Sequence, residues 1–176
     1  MSFRLFPLQF PDRRSVLKVE MILMDTFRGG VHISDFQPDI SDAFSPERGQ
    51  YISSKILLKY LNHSKDSREK KLILTGVDLA TPVLSYVFGE AQLHGNLAIV
   101  SSFRLHEELY SGEANRDLYE QRLQKEVLHE LGHNFGLLHC KDWECVMHSS
   151  SIIEEVDLRG GFYCKKCRSS IRHHLC

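Results

Sequence analysis

The chain has no cysteine before Cys140, a single tryptophan, five prolines in 176 residues and almost no net charge. A disulfide framework would spread its cysteines along the fold, and here all five fall within the last 37 residues, which reads more readily as a metal site in a reducing compartment. Lys and Arg total 22 against 23 Asp and Glu, a formal charge of −1, so no global field recommends a nucleic-acid or acidic-membrane partner. No stretch approaches the roughly 20 apolar residues of a membrane span. The first ten residues are cut by Arg4 and Pro7 before a signal-peptide core can form, so a soluble, cytoplasmic protein is expected. Internal repeats and low-complexity blocks are also missing. With 42% hydrophobic residues, the composition suits one compact domain spanning 1–176.

The hydrophobic pattern predicts a mixed α+β order. Phe3 to Phe10 reads as a strand and Arg13 to Phe27 as a helix, with Val16, Val19 and Phe27 at helical spacing before Gly29-Gly30. A short strand follows over Val31 to Phe36, then a loop with Pro38 and Pro46, then a helix over Gln50 to Leu61. Lys71 to Leu79, Tyr86 to Ala91 and Asn96 to Ser102 read as three strands. Asn115 or Asp117 can cap a long helix reaching about Phe135, whose apolar stripe includes Leu123, Val127 and Leu131. Residues 1–114 thus form a sheet-and-helix part, and 115–176 hold the long helix and the chemistry.

That chemistry begins in the sequence HELGHNFGLLH, residues 129 to 139. His129 and His133, four apart on a helix, project from one face with Cβ atoms roughly 5–6 Å apart and can clasp one metal. Glu130 falls beside a metal-bound water, where hydrolysis needs a general base. Gly136 can adopt the left-handed conformation and turn the chain sharply, returning His139 as a third ligand. Three imidazoles leave a position open, the mark of a catalytic zinc. A chance match to the whole pattern has a probability on the order of 10⁻⁴.

Four of the five cysteines form a second constellation: Cys140, directly after His139, then Cys145, Cys164 and Cys167, the last two a C-x₂-C pair. Four thiolates suit a closed tetrahedral zinc, and Lys165, Lys166 and Arg168 offset its negative charge. Such a centre would staple the C-terminal segment to the segment carrying His139. Cys176 is left over.

The extended histidine motif followed by Met147 resembles the metzincin metallopeptidases, in which a methionine in a tight turn floors the metal site. HELGHNFGLLHC, CVM and CKKC, with RGQY at 48–51, TGVDL at 75–79 and VFGEA at 87–91, resemble one family within that class, the archaemetzincins. The resemblance covers most of the chain. It implies a compact minimal metzincin with a mixed twisted sheet and an active-site helix behind it. It further implies a zinc peptidase with two zinc ions, one catalytic and one structural, acting on peptides. An edge strand, Val87, Phe88, Gly89, Glu90 and Ala91, would pair with the extended substrate. Short or unfolded peptides are the expected substrates, because an unrestrained peptidase inside a cell needs a selective cleft. A zinc-binding peptide-recognition or scaffold protein without catalysis stays open as the alternative. A monomer is the working expectation. Tyr163, His148 and Tyr86 are candidates to stabilise an oxyanion, if the fold brings any of them near.

Overall fold

The computed structural model describes residues 1–61, 63 and 68–176. Its centre is a five-stranded sheet in the order β2-β1-β5-β8-β7, with β1 Ser2–Leu8, β2 Gly30–Ile33, β5 Glu69–Thr75, β7 Gly89–Ala91 and β8 Leu97–Ser101. The pairs β1·β2, β1·β5 and β5·β8 are parallel, while β7 runs antiparallel to β8 at one edge. Alternating side chains feed two cores. Phe3, Leu5, Leu72, Leu74, Ala98 and Val100 face one side; Phe6, Leu8, Ile73, Leu97 and Ile99 face the other.

The first side is covered by α1, Arg13–Thr26, and by α4, Arg116–Asn134. Asp12 caps α1 by accepting from the Ser15 N–H at 3.1 Å, and Val16, Val19 and Leu23 form its buried stripe. Asn115 caps α4 through the Leu118 N–H at 3.0 Å, as the sequence suggested. The opposite side is covered by α2, Ser53–Tyr60.

Several boundaries differ from the sequence reading for tertiary reasons. Gln50–Ile52 is a strand, β4, rather than the start of a helix, because the Tyr51 N–H donates to Asp78 O and the Gln50 amide to Asp78 Oδ2. It lies in a small second sheet between β3, Phe44–Ser45, and β6, Leu79–Ala80. The expected strand over 71–79 ends at Thr75, where Gly76 approaches the Gln9 carbonyl so closely that a Cβ would lie 2.9 Å from it. Of the segment 86–91, only Gly89–Ala91 joins the ladder with β8, and Val87 bridges to Leu79 instead. Short helices α3 Glu108–Ser111, α5 Ile153–Leu158 and α6 Lys165–Ser170 lacked any sequence signal long enough to read. No helix among the described residues is long and apolar enough to cross a membrane.

Candidate active site and metal centres

The last turns of α4 carry the histidine motif. His129 and His133, one turn apart, bring their Nε2 atoms within 3.1 Å of each other. The helix then stops in a Schellman arrangement: the Gly136 N–H donates to His133 O and the Leu137 N–H to Gly132 O, both at 2.9 Å. Gly136 has φ +90°, and the His94 ring occupies the space a Cβ would need. The chain reverses and returns His139, so that one nitrogen from each of the three imidazoles lies within 4.8 Å of the others.

The donor set fits a cation. The Nδ1–H of His129 donates to Val146 O at 2.8 Å and that of His133 to Leu137 O at 2.7 Å, which leaves both Nε2 lone pairs facing the same point. Two lone pairs at 3.1 Å repel unless an ion sits between them, and nitrogens bound to one tetrahedral zinc are roughly 3.3 Å apart. Burial, reinforced by the Arg159 guanidinium, holds the His129 imidazole well below its ordinary pKa, in the neutral form a metal requires. Burial also lowers His133 and His139.

Glu130 is 6% exposed and packs under β7, where Gly89 leaves room for it. A Cβ on Gly89 would lie 2.7 Å from Glu130 Cγ and 2.8 Å from Oε1. Burial raises the Glu130 carboxyl well above the usual range; Glu126 adds to the effect and Arg159 opposes it.

Below the histidines lies the turn Cys145 to His148, closed by the His148 N–H on Cys145 O at 2.9 Å. Met147 is fully buried beneath α4, and Gly132 makes this possible, because a Cβ there would fall on the Met147 sulfur. Since Val146 O orients His129, this turn both floors the site and fixes one imidazole.

Sequence reasoning missed Arg159. It ends α5, is 2% exposed, and pairs through Nη2 with Glu126 Oε1 at 2.7 Å, while Nη1 donates to His148 O at 3.2 Å. One guanidinium thus ties the active-site helix to the end of the methionine turn. The partners are 33 residues apart, so no periodicity in the sequence could have linked them.

Cys140, Cys145, Cys164 and Cys167 converge, with their sulfurs within 4.8 Å of one another. Cys140 and Cys164 are 3.9 Å apart, far beyond the roughly 2.05 Å of a disulfide and close to the roughly 3.8 Å between thiolates on one zinc. Burial pushes the Cys145 and Cys167 thiols up, while a backbone hydrogen bond from Cys167 leads those lowering Cys164, so a cation is what would make four thiolates compatible here. Cys176 stands apart and exposed.

A cleft of about 470 Å³ runs over the histidines, with Leu84 to Ala91 on one rim and Ser149 to Ser151 on the other. In the β7·β8 ladder, Phe88 O accepts from Ser101 N and Gln92 N donates to Leu97 O, so the even-numbered residues bond to β8. The backbone groups of Gly89 and Ala91 therefore turn to the outer side of the strand. The Glu90 carboxylate accepts from the buried Ser53 hydroxyl. Of the three oxyanion candidates, Tyr163 lies behind the helix with its hydroxyl on Leu128 O at 2.6 Å, and His148 stacks on Trp143. Tyr86 reaches the cleft, but its hydroxyl donates to Ser151 O at 2.7 Å, joining the two rims.

The model of Peptidase family M54 matches residues 36–173. The chain is 36% identical to archaemetzincin of Pyrococcus horikoshii over 149 residues, covering 84% of this chain and 77% of the relative. It is 41% identical to that of Methanopyrus kandleri over 133 residues, covering 76% and 72%. Among solved structures, archaemetzincin from Archaeoglobus fulgidus, complexed with malonate, superposes with a TM-score of 0.82 at 32% identity, covering 97% of this chain and all of that one. The Methanopyrus kandleri structure gives 0.81 at 33%, covering 98% and 94%. Metalloproteinase-II from Bacteroides fragilis, at 12% identity and a TM-score of 0.56, shares the fold alone. The mixed α/β fold expected from the sequence is thus that of the archaemetzincin crystal structures, and the chain belongs to the archaemetzincins, Peptidase family M54, as a zinc metallopeptidase.

Proposed function

We propose that peptide hydrolysis occurs over α4, with His129, His133 and His139 holding the catalytic zinc and Glu130 acting as general base. Zinc in such a site supplies a Lewis acid that polarises the scissile carbonyl and lowers the pKa of water from 15.7 to about 7. Glu130 takes a proton from the attacking water and hands it to the departing amine. Its burial suits the first half of this shuttle, because a carboxylate held in a dry pocket is a stronger base than one in water and accepts the proton of the attacking water more readily. Met147 floors the site, and Gly89 and Ala91, within the segment Val87 to Ala91, hold the substrate in extended form by backbone hydrogen bonds. A second, structural zinc sits on Cys140, Cys145, Cys164 and Cys167.

The observation that carries this reading is the pair of inward-facing Nε2 lone pairs with Glu130 adjacent on the same helix. The substrates are short or unfolded peptides. The Tyr86 to Ser151 hydrogen bond supports that class, since it bridges the rims and restricts entry to a thin chain. Thiols kept reduced for zinc suit a cytoplasmic setting. The test is Glu130→Gln with metal counting and a peptide-library cleavage assay. Two zincs per chain with cleavage reduced at least about 10²-fold are expected. Unchanged turnover in that variant would refute the role of Glu130, and a single zinc would refute the second site.

A further inference from the structure

Asn134 directly follows the second histidine of the motif and is the last residue of α4, yet it points inward and is only 1% exposed. Its side-chain amide donates one hydrogen to Gln92 O and the other to Leu97 O, each at 2.9 Å. Those two carbonyls close the β7–β8 hairpin, since Gln92 N itself donates to Leu97 O. The turn of the hairpin meets the same helix end twice more. The His94 N–H donates to His133 O at 3.0 Å, and Lys70 Nζ bridges Gly95 O and Asn134 O at 2.7 and 3.0 Å. The helix-end carbonyls of His133 and Asn134 thereby gain donors from the hairpin turn and from Lys70 of β5.

We infer that Asn134 is a positioning residue that holds the substrate-pairing edge of β7 at its height above the histidines. This rests on the proposed reading of Gly89 and Ala91 as that edge. Gln92 is one residue beyond Ala91 and three beyond Gly89, so its anchor lies at most about 10 Å along the strand from the backbone groups that would meet a peptide. Helix and hairpin contribute different parts of the site, the metal-binding imidazoles and the substrate edge. The His94 N–H on His133 O and the Lys70 bridge act on the turn of the hairpin, whereas the Asn134 amide grips a carbonyl just beyond β7 and one on β8 together. The two hydrogens of its one nitrogen reach both carbonyls at once, adding to the backbone donors they already accept, the Gly95 N–H on Gln92 O and the Gln92 N–H on Leu97 O. The residue after the second histidine thus carries a role that the metal motif does not require.

The test compares Asn134→Ala and the milder Asn134→Ser in the zinc-loaded enzyme. The probes are an extended fluorogenic peptide taken from a cleavage library and the same peptide truncated to the residues flanking its scissile bond. For both variants we expect KM for the extended peptide to rise about tenfold with kcat within about threefold, and the truncated peptide to be unaffected. Amide exchange of Glu90 and Ile99, which pair across the hairpin, should quicken at least about tenfold while zinc content and melting temperature of the Ser variant hold. Equal losses on both peptides, an unchanged KM for the extended one, or unchanged exchange would overturn the inference. Ala91→Pro, which removes an outward N–H from the edge, separates the two readings. If it leaves KM for the extended peptide unchanged, the edge reading fails and takes the inference with it. If it raises KM and the Asn134 variants do not, only the role of Asn134 fails.

Discussion

Replacing Gly89 with alanine should damage catalysis without removing any group that performs it. The added methyl would lie 2.7 Å from Glu130 Cγ, 2.8 Å from Glu130 Oε1 and 2.8 Å from the Ile99 carbonyl. Ordinary contact needs at least about 3.4 Å, so something must move by about 0.7 Å. The Ile99 carbonyl belongs to β8, the buried strand between β5 and β7, and yields little. Movement therefore divides between a bowing of β7 and a swing of Glu130 away from the cleft. Overpacking of this kind costs about 1–3 kcal/mol of stability. The catalytic cost is larger in proportion, because a misplacement near 1 Å loses about 10²-fold in rate. We expect kcat to fall about 30- to 100-fold, with KM changed by less than about fivefold and zinc content unchanged. The assay is steady-state cleavage of a library-derived peptide, with metal counted by mass spectrometry and folding followed by thermal melting. A variant that keeps kcat within about threefold while melting normally would show that Glu130 does not work from the position described.

Three further perturbations follow from the same geometry. Gly132→Ala sets a Cβ against the Met147 sulfur and should drive Met147 out from under His129, so that a chelator strips zinc from the histidine site at least about tenfold faster; an unchanged rate would dismiss the floor. Arg159→Met leaves Glu126, 3% exposed in its side chain, without its cation and should cost about 3–5 kcal/mol, part of which the double variant with Glu126→Gln recovers, as thermal melting would reveal. In acid, burial tends to raise the Asp12 carboxyl, but hydrogen bonds from Arg116 and Ser15 outweigh it and hold it at about 2, below its ordinary 3.8. Its contribution is full above pH 3.8 and is lost as pH falls through 2, so Asp12→Asn should lower stability at pH 6 by about 1 kcal/mol after solvent screening and lose that effect near pH 2, measured by urea unfolding.

The candidate site was legible in the sequence to the extent that its groups sit at fixed spacings on one element. His129, Glu130 and His133 share a helix whose period is known, and Gly136 announces the reversal that returns His139, so these four follow from local rules. The cysteine cluster was legible for a different reason: thiols confined to one segment of a chain expected to stay reduced have few uses besides a metal. Arg159 and Asn134 were not legible, because each acts through partners brought near only by the folded chain, Glu126 at 33 residues' separation and Leu97 at 37. The strand at Gln50–Ile52 was misread for the same reason, since its pairing partner near Asp78 overrides a local helical pattern.

The histidine and cysteine sets that could each hold a metal ion are adjacent in the chain, and this has a mechanical consequence. Cys140 follows His139, while Cys145 precedes Val146, whose carbonyl orients His129, and Met147, which lies under Gly132. The Cys140 N–H donates to Met147 O at 2.9 Å, so the segment after the third histidine and the methionine turn are already joined before any thiolate binds. A cation on the four sulfurs would lock that junction, and its loss would free His139 and the acceptor of His129 together. Cys145→Ser should therefore remove one zinc and also weaken the other, with the chelator-competition affinity of the histidine site falling at least about tenfold. If the histidine site kept its full affinity after the thiolate metal was lost, the two centres would be neighbours in sequence without being coupled in structure.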